Sequence, residues 1–144
     1  MRVTTPHLGN LHIPLKSLFN SLGMDFVMPP LATQRTLSLG VKHSPEGLCI
    51  PFKLTLGNLI EAAGMGADTM IMPAGYGICR LGYYARTQEQ ILRDLGYNIE
   101  MIQVGVSEKK LLGILGMFKR LSHNAPWSKI ISAFSLWSRQ AERN

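Results

Sequence analysis

The strongest constraint on the fold is an alternation of strand-like and helix-like segments through most of the chain. Arg2 to Thr5 is typical of a strand, apolar residues from Leu11 to Leu22 have helical spacing, and Asp25 to Met28 is a second strand ended by two prolines. The segment Thr69 to Met72 is wholly apolar after its first residue, as in strands that are covered on both faces. The alternation therefore predicts an α/β fold built on a parallel sheet.

The remaining segments complete a Rossmann-like open parallel sheet of about four strands flanked by helices, and we expect the strand order 2-1-3-4. A short helix from Thr33 to Leu39 would stop at Gly40. A longer helix would follow Cys49 and end near Gly64, and another would follow Cys79 and stop at Gly96. The fourth strand is expected from Ile99 to Gln103.

After Val104 the pattern changes to two amphipathic helices, Glu108 to Leu121 and Trp127 to Trp137. We therefore expect two parts: a Rossmann-like lobe at residues 1–106 that carries both cysteines, and a helical extension at residues 107–144. The extension would pack on the sheet or dock on another protein.

Composition limits the class of protein. A chain of 144 residues with 46% hydrophobic and 17% charged residues is long enough for one globular domain. The net charge of +6 comes from scattered residues, which favours a solvated surface over nucleic-acid binding. The alternative is a basic half that faces an acidic cofactor, such as the phosphates of coenzyme A. No signal peptide, membrane span or P-loop is visible, so we expect a cytoplasmic protein that does not itself hydrolyse ATP.

Both cysteines of the chain, Cys49 and Cys79, precede predicted helices, and Pro51 suits the first turn of one of them. A helix N-terminus stabilises a thiolate, and two such thiolates suit a soft metal or an iron–sulfur cluster. The alternative is two buried, inert thiols, since cysteine is often simply buried. A zinc site is disfavoured, because the chain lacks a C-x-x-C pair and histidines with ligand spacing.

Other candidate residues surround these cysteines. The turn at Gly75 and Gly77 could let the backbone approach a cluster sulfur, or it could be a plain strand-to-helix turn. A dinucleotide loop is disfavoured because Arg80 replaces its third glycine. Arg80 and Lys53 could balance the charge of a cluster or phosphate, or they could be solvated first-turn residues. We interpret Tyr83 and Tyr84 as core and rim residues rather than ligand-stacking groups.

Four stretches carry a resemblance to a known family: 49–53 (CIPFK), 57–61 (GNLIE), 66–68 (GAD) and 75–84 (GYGICRLGYY). Together with 5–10 and 88–97, they resemble the 2-hydroxyacyl-CoA dehydratase component family. Within that family they resemble the branch described as acyl-CoA dehydratase activase-related, or CoA-substrate-specific enzyme activase. The resemblance covers residues 2 to 140, which is nearly the whole chain.

The resemblance implies an iron–sulfur protein of anaerobic metabolism. Dehydratase components of this family hold a [4Fe–4S] cluster by cysteines from more than one Rossmann-like lobe, and Cys49 and Cys79 match the two cysteines of the N-terminal lobe. They receive one electron from an activator ATPase that carries its own iron–sulfur cluster. That electron drives the elimination of water from a 2-hydroxyacyl-CoA, whereas some relatives reduce small molecules.

Family members are usually longer, and this chain resembles their N-terminal lobe alone. The remaining cluster ligands would then come from a second lobe, a partner subunit or a homodimer mate. We expect an iron–sulfur lobe that acts in low-potential electron transfer to a CoA thioester or a small molecule. The alternative is a non-catalytic interaction module that docks on an activator ATPase or a partner subunit. We expect no nucleic-acid or membrane partner.

Overall fold

The computed structural model describes residues 1–9, 12–74, 79–105, 126–128, 131–132 and 135. Four parallel strands form one sheet in the order β2-β1-β3-β4, which confirms the predicted α/β class and strand order. The strands are β1 (Arg2–Thr4), β2 (Asp25–Phe26), β3 (Thr69–Ala74) and β4 (Glu100–Gly105). The helices are α1 (His12–Ser21), α2 (Gln34–His43), α3 (Ile50–Gly64) and α4 (Tyr84–Asp94), and a 3-10 helix (Arg80–Tyr83) precedes α4.

The central strand β3 is buried on both faces, as its apolar sequence predicts. Met70 and Met72 pack with α3 and α4 on one face of the sheet, whereas Ile71 packs with α1 on the other. Side chains alternate between the faces of a strand, so a wholly apolar strand can serve two cores at once. The strand β2 ends at Phe26, two residues earlier than predicted, although the backbone N–H of Val27 still donates a hydrogen bond of 2.8 Å to the Val3 carbonyl oxygen of β1.

The helix α3 is buried on nearly all sides, since the sheet covers one of its faces and α2 covers another. Its residues from Thr55 to Ile60 are all buried. The sequence prediction that α2 would stop at Gly40 is wrong, because α2 continues to His43. Gly40 instead allows close helix contact: a Cβ there would overlap the carbonyl oxygen of Lys53. Gly57 has the same role on α3, where a Cβ would overlap the carbonyl oxygen of Thr36.

Two polar residues fix α3 against the strands. At the C-terminus of α3, the Arg2 guanidinium donates a hydrogen bond of 2.8 Å to the carbonyl oxygen of Met65. Near the middle of α3, buried Asn58 accepts a 2.6 Å hydrogen bond from the backbone N–H of His7. Its amide nitrogen donates to the Pro30 carbonyl at 2.7 Å. These contacts hold α3 antiparallel to β3, with its N-terminus towards the carboxyl ends of the strands.

The predicted helical extension falls mostly outside the described residues. The helix predicted from Glu108 to Leu121 lies wholly outside them, and of the helix from Trp127 to Trp137 the described residues 127–128, 131–132 and 135 have helical backbone. Within the described part of the chain, no helix combines the length and hydropathy needed to cross a bilayer.

Substitution of Gly40 by Ala tests the close contact of α2 with α3. We expect the free energy of unfolding to fall by about 2–3 kcal/mol, because the new methyl group meets backbone that cannot rotate away. Urea unfolding followed by circular dichroism measures the change. Gly64→Ala is the matched control, since nothing lies within 4 Å of its added Cβ, and it should leave stability unchanged or slightly higher. Equal stability of the two variants would contradict the contact.

Candidate functional site

Cys49 is the N-cap residue of α3, as the sequence predicts. Its extended backbone, with φ of −69° and ψ of 160°, turns the chain into the helix, and Pro51 occupies the first turn. The Cys49 carbonyl oxygen accepts hydrogen bonds from the backbone N–H groups of Phe52 at 3.0 Å and Lys53 at 3.3 Å. The Cys49 side chain makes no capping hydrogen bond to α3.

Cys79 lies at the same edge of the sheet as Cys49, because it follows the carboxyl end of β3. The sequence predicted an α-helix directly after Cys79, but a 3-10 helix comes first. Cys79 is the N-cap residue of the 3-10 helix Arg80–Tyr83, and α4 begins only at Tyr84. The side-chain amide of Gln103 in β4 donates a hydrogen bond of 3.0 Å to the carbonyl oxygen of Gly82, which lies in this 3-10 helix. The macrodipole argument therefore applies directly to Cys49, whereas one 3-10 turn separates Cys79 from the start of α4.

Both cysteines are exposed, so the alternative of two buried thiols is wrong. Access matters because a thiol can take a metal, a cluster or a second protein only where another group can reach it.

Tyr84 links the two cysteine-bearing segments. It is the first residue of α4 and is only 4% exposed. Its ring packs edge-on against Phe52 of α3, with 5.0 Å between the ring centroids. Its hydroxyl group makes a hydrogen bond with the sulfur of Cys49. A phenol that belongs to the segment after Cys79 thus contacts the thiol of the other segment.

The electrostatics of the site favour a thiolate at Cys49. The hydrogen bond from Tyr84 is the main cause that lowers the pKa of Cys49; burial opposes it, and the Phe52 backbone N–H and the Arg80 charge assist it. Burial, and then the hydrogen bond to Cys49, raises the pKa of Tyr84 to about 12. The charges of Cys79 and Arg80 also act on Tyr84, so these residues lie within electrostatic range of one another.

Of the other predicted site residues, the structure describes Arg80 and Lys53. Arg80 is exposed and acts on Cys49 through its charge. Lys53 reaches back along the chain, where its ammonium group contacts the Glu46 carbonyl oxygen at 3.4 Å. Gly75 and Gly77 lie outside the described residues.

The donor set fits an iron–sulfur cluster in part. Two exposed thiols are soft ligands of the kind that such clusters use. A group of three or more His, Cys, Asp or Glu side chains placed to hold a metal ion is absent from the described residues. Any cluster bound here would need further ligands from outside the described residues.

Sequence reasoning missed the role of Tyr84. The signal was its position: Tyr84 begins the buried stripe of α4, so one end of its ring enters the core while the hydroxyl group remains at the edge that bears Cys49. A polar tip on an otherwise buried aromatic ring usually has a hydrogen-bond partner. The sequence alone does not identify Cys49 as the hydrogen-bond partner, because the two residues are 35 positions apart in the chain.

Comparisons of this chain with protein-family models, curated proteins and solved structures find no match. The likeness to the dehydratase components therefore stays a prediction from the residue patterns.

The hydrogen bond from Tyr84 gives a testable pH dependence. In a Cys79→Ser protein, where Cys49 is the only thiol, alkylation of Cys49 should follow a pKa below that of an ordinary thiol. Adding Tyr84→Phe removes the donor that stabilises the thiolate, so the rate–pH curve should move to higher pH. Mass spectrometry of iodoacetamide-treated samples gives the rates. Tyr83→Phe is the control, since Tyr83 is 77% exposed, and a shift as large in that variant would argue against the contact.

Proposed function

We propose that this chain is a [4Fe–4S] iron–sulfur lobe related to 2-hydroxyacyl-CoA dehydratase components. It would act in low-potential electron transfer, with an activator ATPase as electron donor and a CoA thioester or small molecule as acceptor. The observation that carries the proposal is the meeting of the two cysteine-bearing segments at one sheet edge, where Tyr84 of one contacts Cys49 of the other. A reducing, cytoplasmic setting would keep both thiols free.

Cys49 and Cys79 would hold the cluster on this chain. A cluster ligand is a thiolate, and the lowered pKa of Cys49 supports that form. When bound, the cluster supplies one-electron transfer at a potential set by its charge and by hydrogen bonds to its sulfurs. Arg80 would offset part of the negative charge of the cluster, as it already acts on the sulfur of Cys49.

The missing ligands point to a partner at this edge. A [4Fe–4S] cluster usually has four cysteine ligands, and the sequence supplies two. Apolar side chains are exposed at this edge of the sheet: Ile50, next to Cys49, is 56% exposed, and Leu31, in the loop that follows β2, is 70% exposed. A second lobe, a partner subunit or a second copy of this chain would cover these side chains while it completed the ligand set. The same apolar rim favours the second candidate, a non-catalytic module that docks on an activator ATPase or partner subunit.

Anaerobic reconstitution with iron and sulfide tests the cluster. We expect the wild-type chain to take up iron and acid-labile sulfide, and Cys49→Ser or Cys79→Ser to lose most of both, because a hydroxyl group is a poor cluster ligand. Met65→Ser is the matched control, since it replaces an exposed sulfur at the opposite end of α3. Wild-type iron and sulfide contents in both cysteine variants would contradict the cluster proposal.

Native mass measured on the same samples identifies the source of the other ligands. A dimer with one cluster would show that two chains pool four thiols. If the wild-type chain binds no cluster yet binds a partner protein tightly, the interaction module becomes the better account.

Arg80→Gln tests the charge partner. Loss of a nearby positive charge disfavours the more negative, reduced cluster, so the reduction potential of the reconstituted protein should fall. Arg86→Gln is the control, because Arg86 is exposed and pairs with Glu89 at 3.6 Å. Potentiometric titration gives both values. Equal potentials in the two variants would remove Arg80 from the site.

A further inference from the structure

The Tyr84 hydroxyl group has a fixed position relative to the Cys49 sulfur. The ring is held on one side by its edge-on contact with Phe52, and only 4% of the residue is exposed. Tyr84 and Phe52 are thus packed together where α4 meets the first turns of α3. A rotation of the ring away from Cys49 would disrupt this buried contact, so the hydroxyl group is constrained to the neighbourhood of the sulfur.

A second, polar contact locks the same two helices one turn further along. Gln88 is fully buried, and its amide nitrogen donates a 2.8 Å hydrogen bond to the hydroxyl oxygen of Thr55. The Thr55 hydroxyl group in turn donates to the carbonyl oxygen of Pro51 at 2.9 Å. This chain of hydrogen bonds connects α4 to the first turn of α3, which begins beside Cys49. It holds Tyr84 and Cys49 on two elements that cannot slide independently.

The direction of the hydrogen bond follows from the chemistry of a ligand sulfur. A cysteine that binds a metal or cluster is a thiolate, which has no proton to donate. The phenol of Tyr84 must therefore be the donor whenever Cys49 is a ligand. A hydrogen bond to a charged acceptor is stronger than one between neutral groups.

We propose that Tyr84 is a positioning residue of the cysteine site: its hydroxyl group orients the Cys49 sulfur and stabilises the electron-rich state of the cluster that this sulfur would hold. The inference rests on the proposed function and adds a residue that is not itself a ligand. Hydrogen bonds to ligand sulfurs raise the reduction potential of a cluster, because they favour the state with more negative charge. Tyr84 would thus help to set the reduction potential of a cluster held by Cys49.

The test compares Tyr84→Phe with Tyr83→Phe in reconstituted wild-type background. Each variant removes one hydroxyl group from adjacent tyrosines, one buried against Cys49 and one 77% exposed. Potentiometric titration followed by electron paramagnetic resonance gives the midpoint potential of each cluster. We expect the equilibrium constant for reduction to be about tenfold smaller in Tyr84→Phe, a fall of about 59 mV for a one-electron couple. Tyr83→Phe should match the wild type.

The outcomes separate this inference from the proposed function. If the wild type binds a cluster and Tyr84→Phe keeps the wild-type potential, the role of Tyr84 is overturned while the iron–sulfur proposal stands. If the wild type binds no cluster, both are overturned. Reduced cluster content in a Tyr84→Phe protein that keeps its native circular dichroism supports the positioning role.

Should Tyr84→Phe fail to fold, 3-fluorotyrosine at position 84 replaces it in the test. It preserves the ring and the hydroxyl group but makes the phenol a stronger donor, so the potential should rise. An unchanged potential would overturn the inference.

Discussion

The site depends on how closely α2 and α3 approach each other. Gly40 and Gly57 have no side chains at the crossing, so backbone meets backbone, and the carbonyl oxygens of Lys53 and Thr36 fill the space that two Cβ atoms would need. With α2 on one side and the sheet on the other, α3 is held as a buried helix whose axis cannot tilt without opening one of two packed interfaces. The position of the Cys49 end of α3 follows from that packing.

The fixed axis of α3 explains why a thiol can lie at the surface and still be well oriented. Arg2 holds the far end of the helix and Asn58 holds its middle, so the N-terminus projects towards the carboxyl ends of the strands. Those ends are where an open parallel sheet presents its loops, and Cys79 reaches the same edge directly from β3. The fold thus brings two segments that are far apart in the chain to the same edge of the sheet, and Tyr84 makes the contact between them.

The parts that were predictable from sequence are those governed by local pattern. The apolar run in β3 indicated a strand buried on both faces, and the proline after Cys49 indicated a helix start. Gly40 was misread because glycine ends some helices and permits close packing in others, and only the neighbouring carbonyl group distinguishes the two. The helix after Cys79 was predicted, but its first turn is a 3-10 turn, which has nearly the same residue pattern as the first turn of an α-helix.

The role of Tyr84 shows a further limit, since it depends on two segments that no local pattern relates. A buried aromatic residue at the start of α4 is ordinary, and so is a cysteine at the start of α3; the chemistry arises only where they meet. The contact of Tyr84 with Cys49 also makes the surroundings of the two thiols differ. Cys49 has an α-helix N-terminus and a phenol to stabilise its charge, whereas the helix after Cys79 begins with a 3-10 turn. In a cluster shared with other ligands, Cys49 would therefore be the anchored sulfur and Cys79 the one that adapts to the partner.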